Sequence, residues 1–322
     1  MNGQGRKVDT GLWLRLVGFA LIPLTVQAFQ PAVGGALGIL TPLPLAYLTA
    51  RRGAVEGTAA VSLVAVLSGL VLSWAQGIYF LLETLPLCIG IRWVVEARNT
   101  LYRPVMLTVG LVALTGLVAV GGYGLYAGLS PAELYRETVQ NMGLFMESVS
   151  DTSGLGPQEL QQVQWLLDIW QRLFIGIWTS TLLLLVTFYA LLIRGWMLAA
   201  GALVGEGLVP LSRWRLPFPF VAVFIVLSTL VLTAGGLARD VALNALLPLG
   251  TLYGLQGVVV VGHLFTRWAL PPFFRALALA FGIITFPVVV MTAVALMGLF
   301  DTWIDFRRRW PLAPEPPAPP MT

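Results

Sequence analysis

Cysteine, histidine and charge are all scarce in this chain of 322 residues. A single cysteine, Cys88, lies inside an apolar run, which excludes an internal disulfide and a thiolate metal site. With His263 as the one histidine, His-rich metal clusters and a Ser-His-Asp triad with a histidine to spare are excluded too. Charged residues make up 11% of the chain, whereas a soluble domain carries roughly a quarter. The Walker A, His-Glu-x-x-His, Gly-x-Ser-x-Gly and Asp-x-Asp signatures do not occur. The chain therefore reads as a non-enzyme, with no catalytic residue, metal or cofactor assigned.

What replaces charge is hydrocarbon. Apolar residues account for 57% of the chain and mean hydropathy is +0.84. Runs of about twenty apolar residues are long enough to cross a bilayer as helices. They fall at residues 12–30, 33–50, 55–74, 78–96, 103–128, 171–193, 217–236, 241–266 and 274–300. The expected fold is all-α: a polytopic transmembrane bundle of 8–9 helices with a two-helix extracytoplasmic insertion. The net charge of +4 forms no patch or stripe, so a nucleic-acid partner is not expected. The main partner is membrane lipid.

Arginine placement orients the bundle. Arg6 and Lys7, Arg51 and Arg52, Arg92, Arg98 and Arg103, and Arg194, Arg213 and Arg215 all lie in turns on one side. The turns around Gln30-Pro31 and Ala75-Gln76-Gly77 carry none. This predicts a cytoplasmic N-terminus on an uncleaved first helix. The tail does not fit: nine spans put Arg307, Arg308 and Arg309 opposite Arg267 and Arg275, and its side stays open.

The stretch 129–170 is acidic and belongs outside, with Glu133, Glu137, Glu147, Asp151, Glu159 and Asp168 against Arg136. Ser130-Pro131-Ala132-Glu133 reads as a capping box with proline at the first helical position. A second amphipathic helix, marked by Leu160, Val163, Leu167 and Trp170, runs into the sixth span. The run from Pro311 to Pro320 reads as a short disordered tail.

Polar groups in hydrocarbon are candidate functional residues. Glu83, with Tyr79 one turn away and Gln27 and Gln30 at the end of the first span, can line an externally open ligand pocket. The alternative is a carboxyl that snorkels to the interface or stays protonated in a buried hydrogen bond. Tyr253, Gln256 and His263 share one face of the eighth span, with Asn244 on another. That stripe either glues helices together or lines a polar path. Asp301 and Asp305 share a face with Arg308 or Arg309, permitting i,i+4 ion pairs. Small-residue pairs, among them Ala46 with Ala50 and Ala65 with Gly69, allow close helix approach.

Three segments carry a resemblance to a known family: Trp214-Arg215-Leu216-Pro217, Tyr253-Gly254-Leu255-Gln256-Gly257, and Gly298-Leu299-Phe300-Asp301 through Asp305-Phe306-Arg307-Arg308. With Pro42-Leu43-Pro44-Leu45 and Arg51-Arg52-Gly53, they resemble the YybS-like bacterial multi-pass membrane proteins, a family of unknown function. Its N-terminal six helices are similar to the substrate-binding S-components of energy-coupling-factor transporters. The resemblance implies an S-component-like core at 1–128 and 171–194, the insertion 129–170, and further membrane helices over 195–310. It also implies a location in the bacterial cytoplasmic membrane. The expected function is a small-molecule-binding or transport component. It would use an energising or scaffolding membrane partner, met through small-residue faces such as Ala46 and Ala50. The other reading is a structural or assembly factor of the cell envelope.

Overall fold

The computed structural model describes residues 10–30, 37–130, 157–202 and 214–311, with a few positions between 133 and 140. Among the described residues there are eleven helices and no strands, so the chain is an all-α polytopic membrane protein. The helices are α1 (Thr10–Phe29), α2 (Pro42–Arg52), α3 (Ala54–Val71), α4 (Trp74–Val95), α5 (Tyr102–Ala127) and α6 (Pro157–Ala199). They continue with α7 (Pro219–Thr233), α8 (Gly236–Arg267), α9 (Pro272–Thr285), α10 (Pro287–Ile304) and α11 (Phe306–Arg309). Six are long and apolar enough to cross a membrane: α3, α4, α5, α6 from Gln164, α8 and α10. The Pro-rich tail beyond residue 311, most of the acidic insertion and Arg213 lie outside the described residues.

Two expected spans are corrected. In 33–50 the described chain is helical at 37–38, turns over 39–41 and then forms α2, whose 11 residues rise about 16 Å against a hydrocarbon core of about 30 Å. The run 274–300 is two helices. Proline 287 has no N–H to donate and clashes with the preceding turn, and the chain breaks at Phe286. Conversely, the amphipathic segment before the sixth span is continuous with it. The resulting α6 has 43 residues and is about 65 Å long, so it outreaches a bilayer of about 45 Å.

The chain divides into two units, Met1–Gln171 with Leu184–Leu208, and Arg172–Leu183 with Val209–Thr322. In the first, glycine sets the helix spacing. A Cβ on Gly77 of α4 would lie 2.9 Å from Gly69 Cα and against the Ala65 carbonyl, so the Ala65–Gly69 face of α3 is where these backbones meet. Gly57 faces Thr49, and Gly90 faces Thr108 in the same way. Ala46 and Ala50 are buried inside this unit, which removes them as a face for a partner. Arg92 reaches the Thr49 carbonyl at the end of α2 and pairs with Glu96 at 3.1 Å. That gathers Arg51, Arg52 and Arg92 at one end of the unit.

In the second unit α8 and α10 run parallel. Ascending positions on α8 meet ascending positions on the C-terminal segment: Gln256 meets Asp301, His263 meets Trp310, and Arg267 meets Pro311. The helices cross at Gly257 and Gly298, where added Cβ atoms would collide with the Val294 and Tyr253 carbonyls. Since α8 and α10 point the same way, α9 is the return stroke between them. The extra reversal brings Arg267, Arg275 and Arg307–Arg309 to one end, which removes the mismatch left by nine spans.

Candidate functional site

At that common end the second unit buries a charged network. Asp301 sits on the last turn of α10 and is 0% exposed. Its Oδ2 accepts from Arg307 Nη2 at 2.7 Å and from Gln256 Nε2 at 3.1 Å, and its Oδ1 accepts from the Phe306 amide at 3.1 Å. Gln256 is 0% exposed and uses its other end, Oε1, to accept the Leu216 amide at 2.9 Å. Arg307 also donates to the Trp214 carbonyl at 3.0 Å. A carboxylate taken out of water needs such complete ligation. The network ties α8, the C-terminal segment and the 214–216 strap into one object.

The backbone makes this possible at Asp305, which takes a left-handed conformation with φ of 49°. Aspartate tolerates that region because its short side chain bonds locally. The turn ends α10, starts α11, and swings Arg307 back over Asp301. The expected i,i+4 pairing of Asp301 or Asp305 with Arg308 or Arg309 is therefore replaced. Asp301 pairs with Arg307, and Asp305 pairs with Arg215 at 2.9 Å, where the side chains are 29% and 46% exposed. Arg308 is exposed. Sequence spacing did not single out Arg307, since a six-residue separation pairs nothing on an unbroken helix.

Of the stripe Tyr253, Gln256 and His263, the last two bond to the C-terminal segment, and Tyr253 meets both that segment and α7. The Tyr253 carbonyl abuts Gly298 and its ring meets Phe224 edge-on at 5.9 Å. His263 Nε2 donates to the Trp310 carbonyl at 2.8 Å. Asn244 faces α6, where its Oδ1 accepts from the Gly176 amide at 2.7 Å and its Nδ2 donates to the Arg172 carbonyl at 2.6 Å. Gly176 is required there, since a Cβ would press on the Asn244 backbone.

In the first unit Glu83 lies on the tenth residue of α4, about 14 Å along a membrane helix, and is half-buried. Its carboxyl interacts with the Tyr79 hydroxyl one turn away, and the buried Tyr189 is near enough to feel its charge. Among the described residues no cation pairs with it. The Tyr189 hydroxyl donates to the Ile39 carbonyl. Close by in sequence, the buried hydroxyls of Thr41 and Thr187 have no partner among the described residues. Gln30 is exposed, and the side chain of Gln27 lies outside the described residues.

A separate apolar groove of about 740 Å³ opens between α1, the 37–44 segment, α2 and the end of α6. None of Glu83, Tyr79 and Gln30 lines it. Among the described residues no group of three metal-ligating side chains occurs.

Comparison with known proteins agrees with the membrane architecture. No curated protein and no solved structure matches the chain. A family model described as "Predicted membrane protein (DUF2232)" matches residues 18–302, a stretch that contains α2 to α9 whole, Glu83 and Asp301. The chain belongs to this family of multi-pass membrane proteins.

Proposed function

We propose that the protein is a small-molecule-binding component of a membrane transport system. The first unit binds solute, and a separate membrane partner supplies energy or scaffolding. The observation that carries this reading is Glu83, a half-buried carboxyl in a membrane helix with Tyr79 beside it and no cation facing it among the described residues. A carboxyl in hydrocarbon is costly, and a cationic or hydrogen-bonding solute would offset the cost. The Thr41 and Thr187 hydroxyls, without a partner among the described residues, add further polar groups to the same unit. The resemblance to energy-coupling-factor S-components read in the sequence of the N-terminal helices favours the same reading. On this reading the membrane is the bacterial cytoplasmic one and the arginine-rich ends, with the N-terminus, face the cytoplasm.

The test is native mass spectrometry of the full chain released from nanodiscs made with cell lipid. The expected result is a bound small-molecule mass that Glu83→Gln loses while the variant stays folded. A wild type with no such mass, or one whose adduct ignores Glu83→Gln, overturns the reading.

A second reading is an envelope assembly factor, favoured by the length of α6. At 43 residues it is longer than a bilayer requires, and Trp165 and Leu166 near its N-terminal end are exposed. Photo-crosslinking from residue 165 to a stoichiometric partner protein would move the weight to this reading.

A further inference from the structure

We infer that the apolar groove of the first unit is a specific site for an anionic phospholipid, with an acyl chain along the groove and the phosphate at Arg51. Leu16, Phe19 and Ile22 of α1, Leu40, and Leu192 of α6 make the walls hydrocarbon. A groove of about 740 Å³ falls within the ~300–1,000 Å³ span of small-molecule sites. It lies among apolar helices, so an acyl chain from the surrounding bilayer is the occupant at hand.

The floor of the groove supplies the headgroup chemistry. Leu43, Pro44 and Tyr47 line it from α2, and Arg51 follows Tyr47 by one turn on the same helix face. Tyr47 is held edge-on by Trp196 at 6.2 Å, and Trp196 also lines the groove. The Tyr47 hydroxyl accepts from Arg51 Nη1 at 3.0 Å, and the guanidinium lies 5.9 Å from the Tyr47 ring centre. A half-buried cation is thereby fixed at the end of an apolar trough, beside two aromatic rings of the kind that sit at headgroup level. Among the described residues no carboxylate pairs with Arg51. An arginine presents a planar fork of donors suited to phosphate. Tail and head chemistry are therefore offered in the order a phospholipid presents them.

The site shares no residue with the Glu83 locus and does not depend on it. The test uses the full chain in nanodiscs of equal phosphatidylglycerol and phosphatidylcholine, followed by native mass spectrometry under stepwise delipidation. One phosphatidylglycerol is expected to persist on the wild type at several-fold excess over phosphatidylcholine. Arg51→Gln should abolish the headgroup preference while leaving retention of lipid. Leu40→Trp, from an exposed position on the groove wall, should abolish retention of either lipid in a protein that remains folded by circular dichroism. Equal retention of both lipids by the wild type, meaning ordinary annular lipid, overturns the proposal. So does a phosphatidylglycerol adduct that Leu40→Trp leaves untouched, or a free fatty acid retained in place of phospholipid.

Discussion

Replacing Arg307 with glutamine removes one cation from the second unit and leaves the Asp301 carboxylate buried with two neutral donors, the Gln256 amide and the Phe306 N–H. Stripping the partner from a buried charge costs about 3–5 kcal/mol, because the remaining charge keeps its desolvation penalty and loses its attraction. The contrast lies four residues away. The Arg215–Asp305 pair is similar in length but 46% and 29% exposed, and an exposed pair contributes about 0–1 kcal/mol. Arg307→Gln is therefore expected to destabilise the unit severalfold more than Arg215→Gln. The double variant Asp301→Asn, Arg307→Gln removes both charges and should recover part of the loss, with coupling in the range of about 0.5–3 kcal/mol. Equilibrium unfolding in mixed detergent and dodecyl sulfate micelles gives the energies. Hydrogen exchange over α10 and α11 shows where the loss falls. If Arg307→Gln and Arg215→Gln prove equal, or if the two charge removals simply add, the network is not the support described.

Other consequences follow from packing and topology. Gly257→Ala or Gly298→Ala should cost at least the 1–3 kcal/mol of an overpacked core, since the methyl group meets a carbonyl of the facing helix. Gly254→Ala, with nothing within 4 Å, should be neutral by the same unfolding assay. In a Cys88→Ala background, Trp268→Cys and Arg309→Cys should react with an impermeant maleimide from the same side of the membrane. Labelling of Trp268→Cys and Arg309→Cys from opposite sides would break the parallel arrangement of α8 and α10. Outside the membrane, the hydrogen bonds from the Ser130 side chain and backbone hold the Glu133 carboxyl below its ordinary range. A depressed folded value stabilises the cap above the unfolded pKa and loses it as pH falls through the folded one. The protection factors of the Ser130, Glu133 and Leu134 amides, taken against the intrinsic exchange rate at each pH, should therefore fall on acidification to below the usual glutamate range. Glu133→Gln should make those protection factors insensitive to pH.

How far the sequence foretold these features depended on how local each was. The capping box was legible because it closes within three residues: Ser130 N donates to Glu133 Oε2 at 2.7 Å, and Glu133 N to Ser130 Oγ at 3.3 Å. The all-α polytopic class was legible from length and hydropathy, but of the nine expected spans six helices are long and apolar enough to cross a membrane among the described residues. Proline shows where such reading stops. Pro23, Pro86 and Pro248 sit inside α1, α4 and α8 without ending them, yet Pro287 separates α9 from α10. A membrane helix can re-satisfy the carbonyl that a proline orphans through its neighbours, so the outcome belongs to the packing and not to the residue. The same holds for the charged site. Asp301, Asp305, Gln256, Trp214 and Arg215 were all visible as candidates, because polar groups stand out against an apolar chain. Their pairing was not visible, because it hangs on one left-handed residue that turns a six-residue spacing into a 2.7 Å contact. Once that turn is known, the three motifs that carry the family resemblance stop being separate: 214–217, 253–257 and 298–308 converge on a single carboxylate. Gln256 and Arg307 ligate the carboxylate directly, and the 214–216 strap holds those two ligands through the Leu216 amide and the Trp214 carbonyl.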